Sequence, residues 1–139
     1  MKKQQLQETI DFLKSNGITN PQIGIVLGTG LGKLVEEIEI EKEIAYSEIP
    51  NFPQATVEFH SGKIIYGNLS GKKVVVMSGR FHVYEGYNLW EVTYGIRTMH
   101  GLGISTLLIS NAAGAINLNY KKGDLMLIED HLNLQGSSP

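Results

Sequence analysis

Apolar residues recur at helical spacing in two segments of the chain, and each segment predicts an α-helix. In the first, over about residues 4–16, the apolar stripe consists of Leu6, Ile10 and Leu13. In the second, over residues 88–101, the stripe consists of Leu89, Val92, Ile96 and Met99. Asn88 and Glu91 have capping-box spacing at the start of the second helix. Both helices are expected to serve packing.

Apolar runs without alternation predict strands buried on both faces. These runs cover residues 23–27, 73–77 and 106–110. Shorter runs predict further strands at residues 56–59, 63–68 and 125–128. Serine–glycine pairs supply turns that join residues 56–77 into a three-stranded meander. The charged run over residues 36–43 is interpreted as a solvated helix end or loop.

Strands that alternate with helices indicate the α/β class, here a mixed, twisted sheet flanked by helices. The chain has 139 residues, which fits a single domain over residues 1–139. Hydrophobic residues make up 42% and charged residues 19%, and these shares are typical of globular proteins.

Composition also narrows the classes of function. The net charge of −2 argues against a nucleic-acid partner and against an anionic membrane surface. The sequence contains no cysteine, so disulfides, thiolate zinc sites and a cysteine nucleophile are excluded. No stretch approaches the ~18 apolar residues of a membrane span, and residues 4–8 lack the apolar core of a signal peptide. A cytoplasmic protein is expected.

A glycine-rich turn follows the first predicted strand and precedes a predicted helix over residues 31–38. Its sequence is Gly28-Thr29-Gly30-Leu31-Gly32. Backbone N–H groups in such a turn lie beside the positive end of the helix dipole, which favours an anion, and Thr29 adds a hydroxyl donor. A tight turn without a ligand is an equally open interpretation of this stretch.

Two nucleotide-binding motifs fail here. The dinucleotide fingerprint needs a third glycine where Lys33 stands. The P-loop pattern places Leu27 at its first glycine and Leu34 at its Ser/Thr position. A P-loop nucleotide hydrolase is therefore disfavoured.

The densest group of chemically capable side chains follows the strand predicted at residues 73–77. If the chain stays extended there, Arg80, His82 and Tyr84 point to one face. Phe81 and Val83 then point to the other. A fixed cation, an imidazole and a hydroxyl in a row suit an oxyanion such as phosphate or carboxylate, because charge-assisted hydrogen bonds are strong. Taken alone, a solvated strand end explains the row as well.

Three other polar or small-residue groups have two interpretations each. Residues 111–115 follow a predicted strand. Their small side chains either let a ligand approach the backbone closely or form a tight loop against a neighbouring helix. His60 lies beside a turn, where a lone histidine is more often incidental than functional. Asp130 and His131 suggest a metal or acid–base pair, but no second cluster has ligand spacing, so a structural role is favoured.

With these segments in place, the sequence resembles the trimeric class of purine nucleoside phosphorylases. The resemblance runs from about residue 20 onward, and its most specific part is the segment of residues 79–87. The other matching segments are Gly28-Thr29-Gly30-Leu31-Gly32, Ile49-Pro50-Asn51-Phe52-Pro53, His60-Ser61-Gly62, Asn111-Ala112-Ala113-Gly114 and Asp130-His131-Leu132-Asn133-Leu134.

The resemblance implies an incomplete three-layer α/β/α fold of the phosphorylase/hydrolase type. It implies that the chain supplies the phosphate-binding half of an enzyme that converts a purine nucleoside and phosphate into base and ribose 1-phosphate. Inorganic phosphate is then a co-substrate, no cofactor or metal is needed, and the full-length protein is a homotrimer. The alternative is a non-catalytic phosphate- or nucleoside-binding module, or an inactive fragment.

Residue roles follow from the same resemblance. The implied phosphate ligands are the Thr29 hydroxyl, His60, Arg80, His82 and the Ala112 backbone amide. The implied catalytic residues are His82, Tyr84 and Glu85, with Tyr84 at the ribose and Glu85 orienting His82.

The sequence departs from the family in two ways. The family often has Ser where this chain has Thr29. The family's chains also run to roughly twice this length, and their purine-binding residues have no counterpart here, so base selectivity is not predicted.

Overall fold

A five-stranded mixed sheet forms the centre of the structure, a computed structural model that describes residues 2–28, 30–54 and 62–139. The strands are β1 (Ile23–Val26), β2 (Glu39–Ala45), β3 (Lys63–Leu69), β4 (Lys72–Ser78) and β5 (Thr106–Ile109). The α-helices are α1 (Lys2–Ser15) and α2 (Leu89–Leu102). Three short 3-10 helices cover Gly32–Glu37, Tyr46–Glu48 and Val83–Glu85.

The strand order β2-β3-β4-β1-β5 combines an antiparallel half with a parallel half. β3 pairs antiparallel with β2 and with β4, whereas β1 pairs parallel with β4 and β5. Val26 at the end of β1 lies opposite Met77 of β4 and Ile109 of β5. The carboxyl ends of these three strands therefore meet at one edge of the sheet, where α/β proteins bind ligands.

Alternating side chains of the strands build two cores, one on each face of the sheet. Both α-helices pack on one face, where Val75 and Met77 lie in the same buried cluster as Leu13 and Met99. The 3-10 helix Gly32–Glu37 packs against the opposite face. The predicted mixed sheet with flanking helices is thus confirmed.

The two predicted helices are present, and local signals explain their limits. At the start of α2 the Glu91 backbone N–H donates to Asn88 Oδ1 at 3.1 Å. Glu91 Oε2 in turn accepts from the Asn88 backbone N–H at 2.8 Å, which completes the capping box. α2 ends at Leu102, and the next residue, Gly103, caps it with a φ of 99°, which is costly for residues other than glycine.

Three predictions about single elements are wrong. The charged run over residues 36–43 is mostly strand β2, which forms an edge of the sheet in the described part of the chain and therefore tolerates exposed charges. β5 is not buried on both faces, because Leu108 and Ile109 remain exposed. Residues 125–128 form no strand, and Leu125 and Leu127 are fully solvent-exposed.

Other predictions stand only partly. The helix predicted over residues 31–38 is a 3-10 helix of six residues, Gly32–Glu37. The strand predicted at residues 56–59 lies outside the described residues. Within the described ranges, neither helix is sufficiently long and apolar to span a bilayer.

Candidate functional site

Three strand ends meet at the candidate site, and side-chain hydrogen bonds tie them together. Gly28 lies just beyond β1, Arg80 just beyond β4, and Ser110 just beyond β5. Arg80 Nη1 donates to the Ser110 carbonyl oxygen at 2.8 Å. The Gly28 backbone N–H donates to Ser110 Oγ at 3.1 Å. The parallel half of the sheet thus brings the glycine turn and Arg80 to one place.

Arg80 and His82 lie side by side, as an extended backbone requires. Arg80 Nε donates to His82 Nε2 at 2.9 Å. Phe81, between them in sequence, is buried on the other side and packs against Tyr46, Phe52 and Tyr87. The aromatic cluster therefore anchors the segment that carries the cation and the imidazole.

Glu85 holds His82 from the side opposite Arg80. Its Oε2 accepts from the His82 backbone N–H at 2.8 Å and lies 3.0 Å from His82 Nδ1. Because Nε2 accepts from Arg80, the hydrogen-bond network assigns the ring proton to Nδ1, which donates to the carboxylate. Both ring nitrogens are engaged, and the imidazole orientation is fixed.

The predicted alternation of side chains ends at Val83, because the 3-10 helix Val83–Glu85 begins there. Val83 is exposed instead of joining Phe81 in the core. Tyr84 is 82% exposed, and its ring stacks on that of His82 with centroids 4.7 Å apart and planes 18° from parallel. The stack places the Tyr84 ring against the imidazole, while most of the residue stays exposed to solvent.

Tyr46 supports the backbone just before Arg80. Its hydroxyl donates to the Gly79 carbonyl oxygen at 2.6 Å. Gly79 has a φ of 110°, a conformation that turns the chain out of β4 and suits glycine. Burial raises the pKa of the Tyr46 phenol well above its ordinary value, so the group stays a neutral donor.

The remaining predicted site residues fall into two groups. Thr29 and His60 lie outside the described residues. Ala112 lies two positions after Ser110 in an exposed segment, and its carbonyl accepts from Asn111 Nδ2 at 3.1 Å. Asp130 and His131 are exposed and far from regular structure, with the His131 backbone N–H donating to Asp130 Oδ1. Across the described ranges no three potential metal ligands cluster.

Two contributors have no site role in the sequence-based predictions. Ser110 appears there only as the last residue of a predicted strand, and Tyr46 has no predicted role. A polar residue at the end of an apolar strand was the available signal for Ser110. For Tyr46 the sequence carries no local signal, because its contact with Gly79 spans 33 residues.

Comparison with known proteins identifies the family of the chain. The profile of the phosphorylase superfamily matches residues 22–139. Purine nucleoside phosphorylase 1 of Geobacillus stearothermophilus is 50% identical over 139 residues, which are 100% of this chain and 51% of that protein. Purine nucleoside phosphorylase of Bos taurus is 47% identical over 132 residues, 95% of this chain and 46% of that protein.

A solved structure adds the fold. Isoform 2 of purine nucleoside phosphorylase from Schistosoma mansoni, in complex with cytosine and ribose-1-phosphate, superposes with a TM-score of 0.82 at 47% identity. The match covers 87% of this chain and 42% of that one. The chain spans about half the length of the curated relatives it matches. By profile, sequence identity and fold, the chain belongs to the phosphorylase superfamily.

Proposed function

We propose that this chain supplies the phosphate-binding half of a purine nucleoside phosphorylase. The observation that carries the proposal is the arrangement at the strand ends, where Arg80 is fixed to the Ser110 carbonyl and lies beside the His82–Glu85 pair. A permanent cation next to an oriented imidazole suits phosphate. Phosphate carries about −1.5 to −2 charges near neutral pH, so its hydration must be replaced by strong donors.

The reaction is the phosphorolysis of a purine nucleoside. A phosphate oxygen forms a bond to the anomeric carbon of the ribose while the bond from that carbon to the base nitrogen breaks. The electron pair of the broken bond leaves with the base, which takes up a proton, so the products are ribose 1-phosphate and the free base. The ribose gains oxocarbenium character, as in glycoside hydrolysis. Phosphate held against the anomeric carbon then acts as nucleophile and counter-charge together. Inorganic phosphate is the co-substrate, and the proposed chemistry uses no cofactor.

Each described residue has a defined task in this proposal. Arg80 uses its remaining guanidinium N–H groups on phosphate oxygens. His82 Nε2 accepts from Arg80, so its donation to phosphate requires a protonated ring, with Glu85 as counter-charge on the opposite nitrogen. Tyr84 extends the site toward the ribose. Thr29, His60 and the Ala112 amide complete the phosphate ligands, as the family resemblance implies.

The wider biology belongs to the same proposal. Cytoplasmic location, purine salvage and a homotrimeric full-length protein are proposed from the family resemblance. The purine-binding groups of the family belong to the half that this chain does not span. We therefore propose that the 139 residues alone bind phosphate and release no hypoxanthine from inosine.

Calorimetric titration with inorganic phosphate tests the site. Arg80→Ala removes charge-assisted hydrogen bonds worth about 1.5–3 kcal/mol each, so we expect phosphate affinity to fall roughly tenfold to a few hundredfold. Arg97→Ala is the matched control, because Arg97 lies over the Trp90 ring on α2, away from the strand ends. Equal phosphate affinity in the two variants would sink the assignment.

The second candidate is a phosphate- or nucleoside-binding module without activity. Experiments on the isolated chain do not distinguish such a module from half of an enzyme, because both are expected to bind phosphate without turnover. The two differ once the missing half is supplied: an enzyme half gains phosphate-dependent inosine cleavage, and a module does not.

A further inference from the structure

We propose that Ser110 is a positioning residue of the phosphate site, whose hydroxyl and carbonyl set the distance between the glycine turn and Arg80. The inference rests on the proposed function and names the residue that aligns two of its phosphate-binding elements. Ser110 accepts from both sides: Oγ from the Gly28 N–H at 3.1 Å, and the carbonyl oxygen from Arg80 Nη1 at 2.8 Å.

The Gly28 contact fixes the start of the glycine turn against the end of β5. A Cβ atom at Gly28 would lie 2.6 Å from the Ser110 carbonyl oxygen and 3.0 Å from its Oγ, so the two backbones are in direct contact. The contact lies close to the pairing of Val26 with Ile109, because Ser110 directly follows β5 and Gly28 is the second residue after β1. The turn therefore begins at a position set by Ser110.

The Arg80 contact fixes the direction of the guanidinium. Arg80 uses Nε on His82 and one N–H of Nη1 on Ser110. Arginine has five N–H donors in a rigid plane, so three remain for an anion, and their plane is already set. A guanidinium held in this way loses less conformational freedom when an anion binds.

One consequence concerns the choice of amide donors. The Gly28 N–H is taken by Ser110 Oγ, so the backbone donors that the turn offers to phosphate lie after Gly28. Ser110 also directly precedes the small-residue segment over residues 111–115. A single residue thus aligns the glycine turn and Arg80, and sets where the third phosphate-binding segment begins.

The chain offers a matched control at the other end of the same strand. Ser105 Oγ donates to the Gln22 carbonyl oxygen at 3.1 Å, which ties β5 to the segment before β1. Ser105 and Ser110 therefore each join the β5 region to the β1 region through one hydroxyl, Ser105 directly before the start of β5 and Ser110 directly after its end. Only Ser110 lies at the edge that carries Arg80.

The test compares Ser110→Ala, Ser110→Thr and Ser105→Ala in the 139-residue chain. Phosphate affinity is measured by calorimetry, and the Arg80 Nε–H resonance by ¹⁵N NMR. We expect Ser110→Ala to weaken phosphate binding about three- to tenfold, because the hydrogen bond from Gly28 to the hydroxyl is lost. The Arg80 resonance should shift as well, because the Ser110 backbone, whose carbonyl accepts from Arg80, is then no longer held by Gly28. Ser110→Thr keeps the hydroxyl and restores affinity, and Ser105→Ala leaves affinity and resonance unchanged.

Ser110→Cys keeps the shape of the side chain, with a somewhat larger terminal atom, while weakening its acceptor, and it is expected to lose affinity even if the alanine variant folds poorly. Wild-type affinity in the folded Ala and Cys variants would overturn the inference, as would an equal loss in Ser105→Ala. A wild-type chain that binds no phosphate would overturn the proposed function itself, and with it the site that Ser110 aligns.

Discussion

At the residue scale, the contacts of Arg80 and Glu85 fix the hydrogen-bonding state of His82. The imidazole lies between a donor on Nε2 and a carboxylate on Nδ1, and the Tyr84 ring covers its face. Three neighbours thus restrain one side chain that remains partly accessible to solvent. A restrained imidazole loses little freedom on meeting an anion, which favours its use in a binding site.

The first prediction concerns this restraint. In ¹⁵N NMR spectra at pH 8 we expect His82 to carry its proton on Nδ1, because Nε2 accepts from Arg80. Glu85→Ala should lower the population of that tautomer. Glu91→Ala is the control, because it removes a capping-box glutamate of the same kind from α2. A wild-type ring protonated mainly on Nε2 would contradict the assigned network.

The second prediction concerns Tyr46. Burial raises its pKa, so the folded chain keeps the phenolic proton at pH values where the unfolded chain loses it, above about 10. The free energy of unfolding should therefore fall as pH rises above about 10, by up to ~1.4 kcal/mol per pH unit from this one group. Urea denaturation at several alkaline pH values measures the slope.

Tyr46→Phe should be less stable near neutral pH by about 0.5–1.5 kcal/mol, because the hydrogen bond to Gly79 is lost. Its alkaline slope should be shallower than that of the wild-type chain. Parallel curves for the two proteins would show that Tyr46 does not titrate in this way.

At the element scale, the site depends on the parallel pairing of β1 with both β4 and β5. Strands in parallel register place their carboxyl ends together, so residues distant in sequence meet. The antiparallel strands β2 and β3 extend the sheet on the other side of β4 and contribute no residue to the strand-end contacts described above. Their packing nevertheless stabilises β4, from which Arg80 emerges.

The third prediction tests that packing at Gly67 on β3. A Cβ atom there would lie 2.3 Å from the Glu39 backbone oxygen of β2, which cannot move without disturbing the strand pair. We expect Gly67→Ala to lower the free energy of unfolding by about 1–3 kcal/mol in urea denaturation. Gly32→Ala, with no atom within 4 Å of the added Cβ, is the control. Equal stability of the two variants would refute the contact.

Local signals in the sequence predicted the helices well, because stripes and caps are properties of neighbouring residues. The Asn88–Glu91 capping box and the α2 boundaries are examples. The charged residues of β2 led to a wrong prediction of a helix end or loop, because an edge strand needs few apolar residues. The apolar run at residues 125–128 predicted a strand, but a strand forms only where a partner strand is available.

The site was predictable to the same extent. The alternation of an extended chain predicted that Arg80 and His82 share a face, and the structure joins them by a hydrogen bond. The contact of Glu85 with His82 was implied by the family resemblance and not by the spacing. Ser110 was not predictable as a partner, because its position depends on the register of β5 against β1. Gly28 and Ser110, which form the hydrogen bond there, are 82 residues apart in the sequence. Contacts that depend on strand register cannot be predicted from local sequence patterns.

At the scale of the whole molecule, the chain exposes many large apolar side chains beyond β5. They are Ile116, Leu118, Leu125, Leu127, Leu132 and Leu134. Each exposes at least 89% of its surface, and Leu108 and Ile109 on β5 are exposed as well. Large apolar side chains exposed in this number are unusual for a monomeric soluble protein and indicate packing against another part of a larger structure. We propose that the other half of the phosphorylase fold covers it.

The fourth prediction follows from this exposure. The isolated chain should bind an apolar fluorescent dye such as ANS strongly. A fusion of residues 1–139 to the unmatched remainder of the Geobacillus stearothermophilus relative, which matches this chain over 51% of its own length, should bind less dye per molecule. Undiminished dye binding by a folded fusion would show that the second half does not cover these side chains.

We propose that this chain holds phosphate for the cleavage of a purine nucleoside, and the same fusion allows a direct test of that role. The measurement is hypoxanthine release from inosine as a function of phosphate concentration, for the fusion with Arg80 and for the fusion carrying Arg80→Ala. We expect phosphate-dependent release by the first, and a roughly tenfold to few-hundredfold loss in phosphate use by the second. A folded fusion without release, or an Arg80→Ala fusion with unchanged phosphate dependence, would contradict the claim.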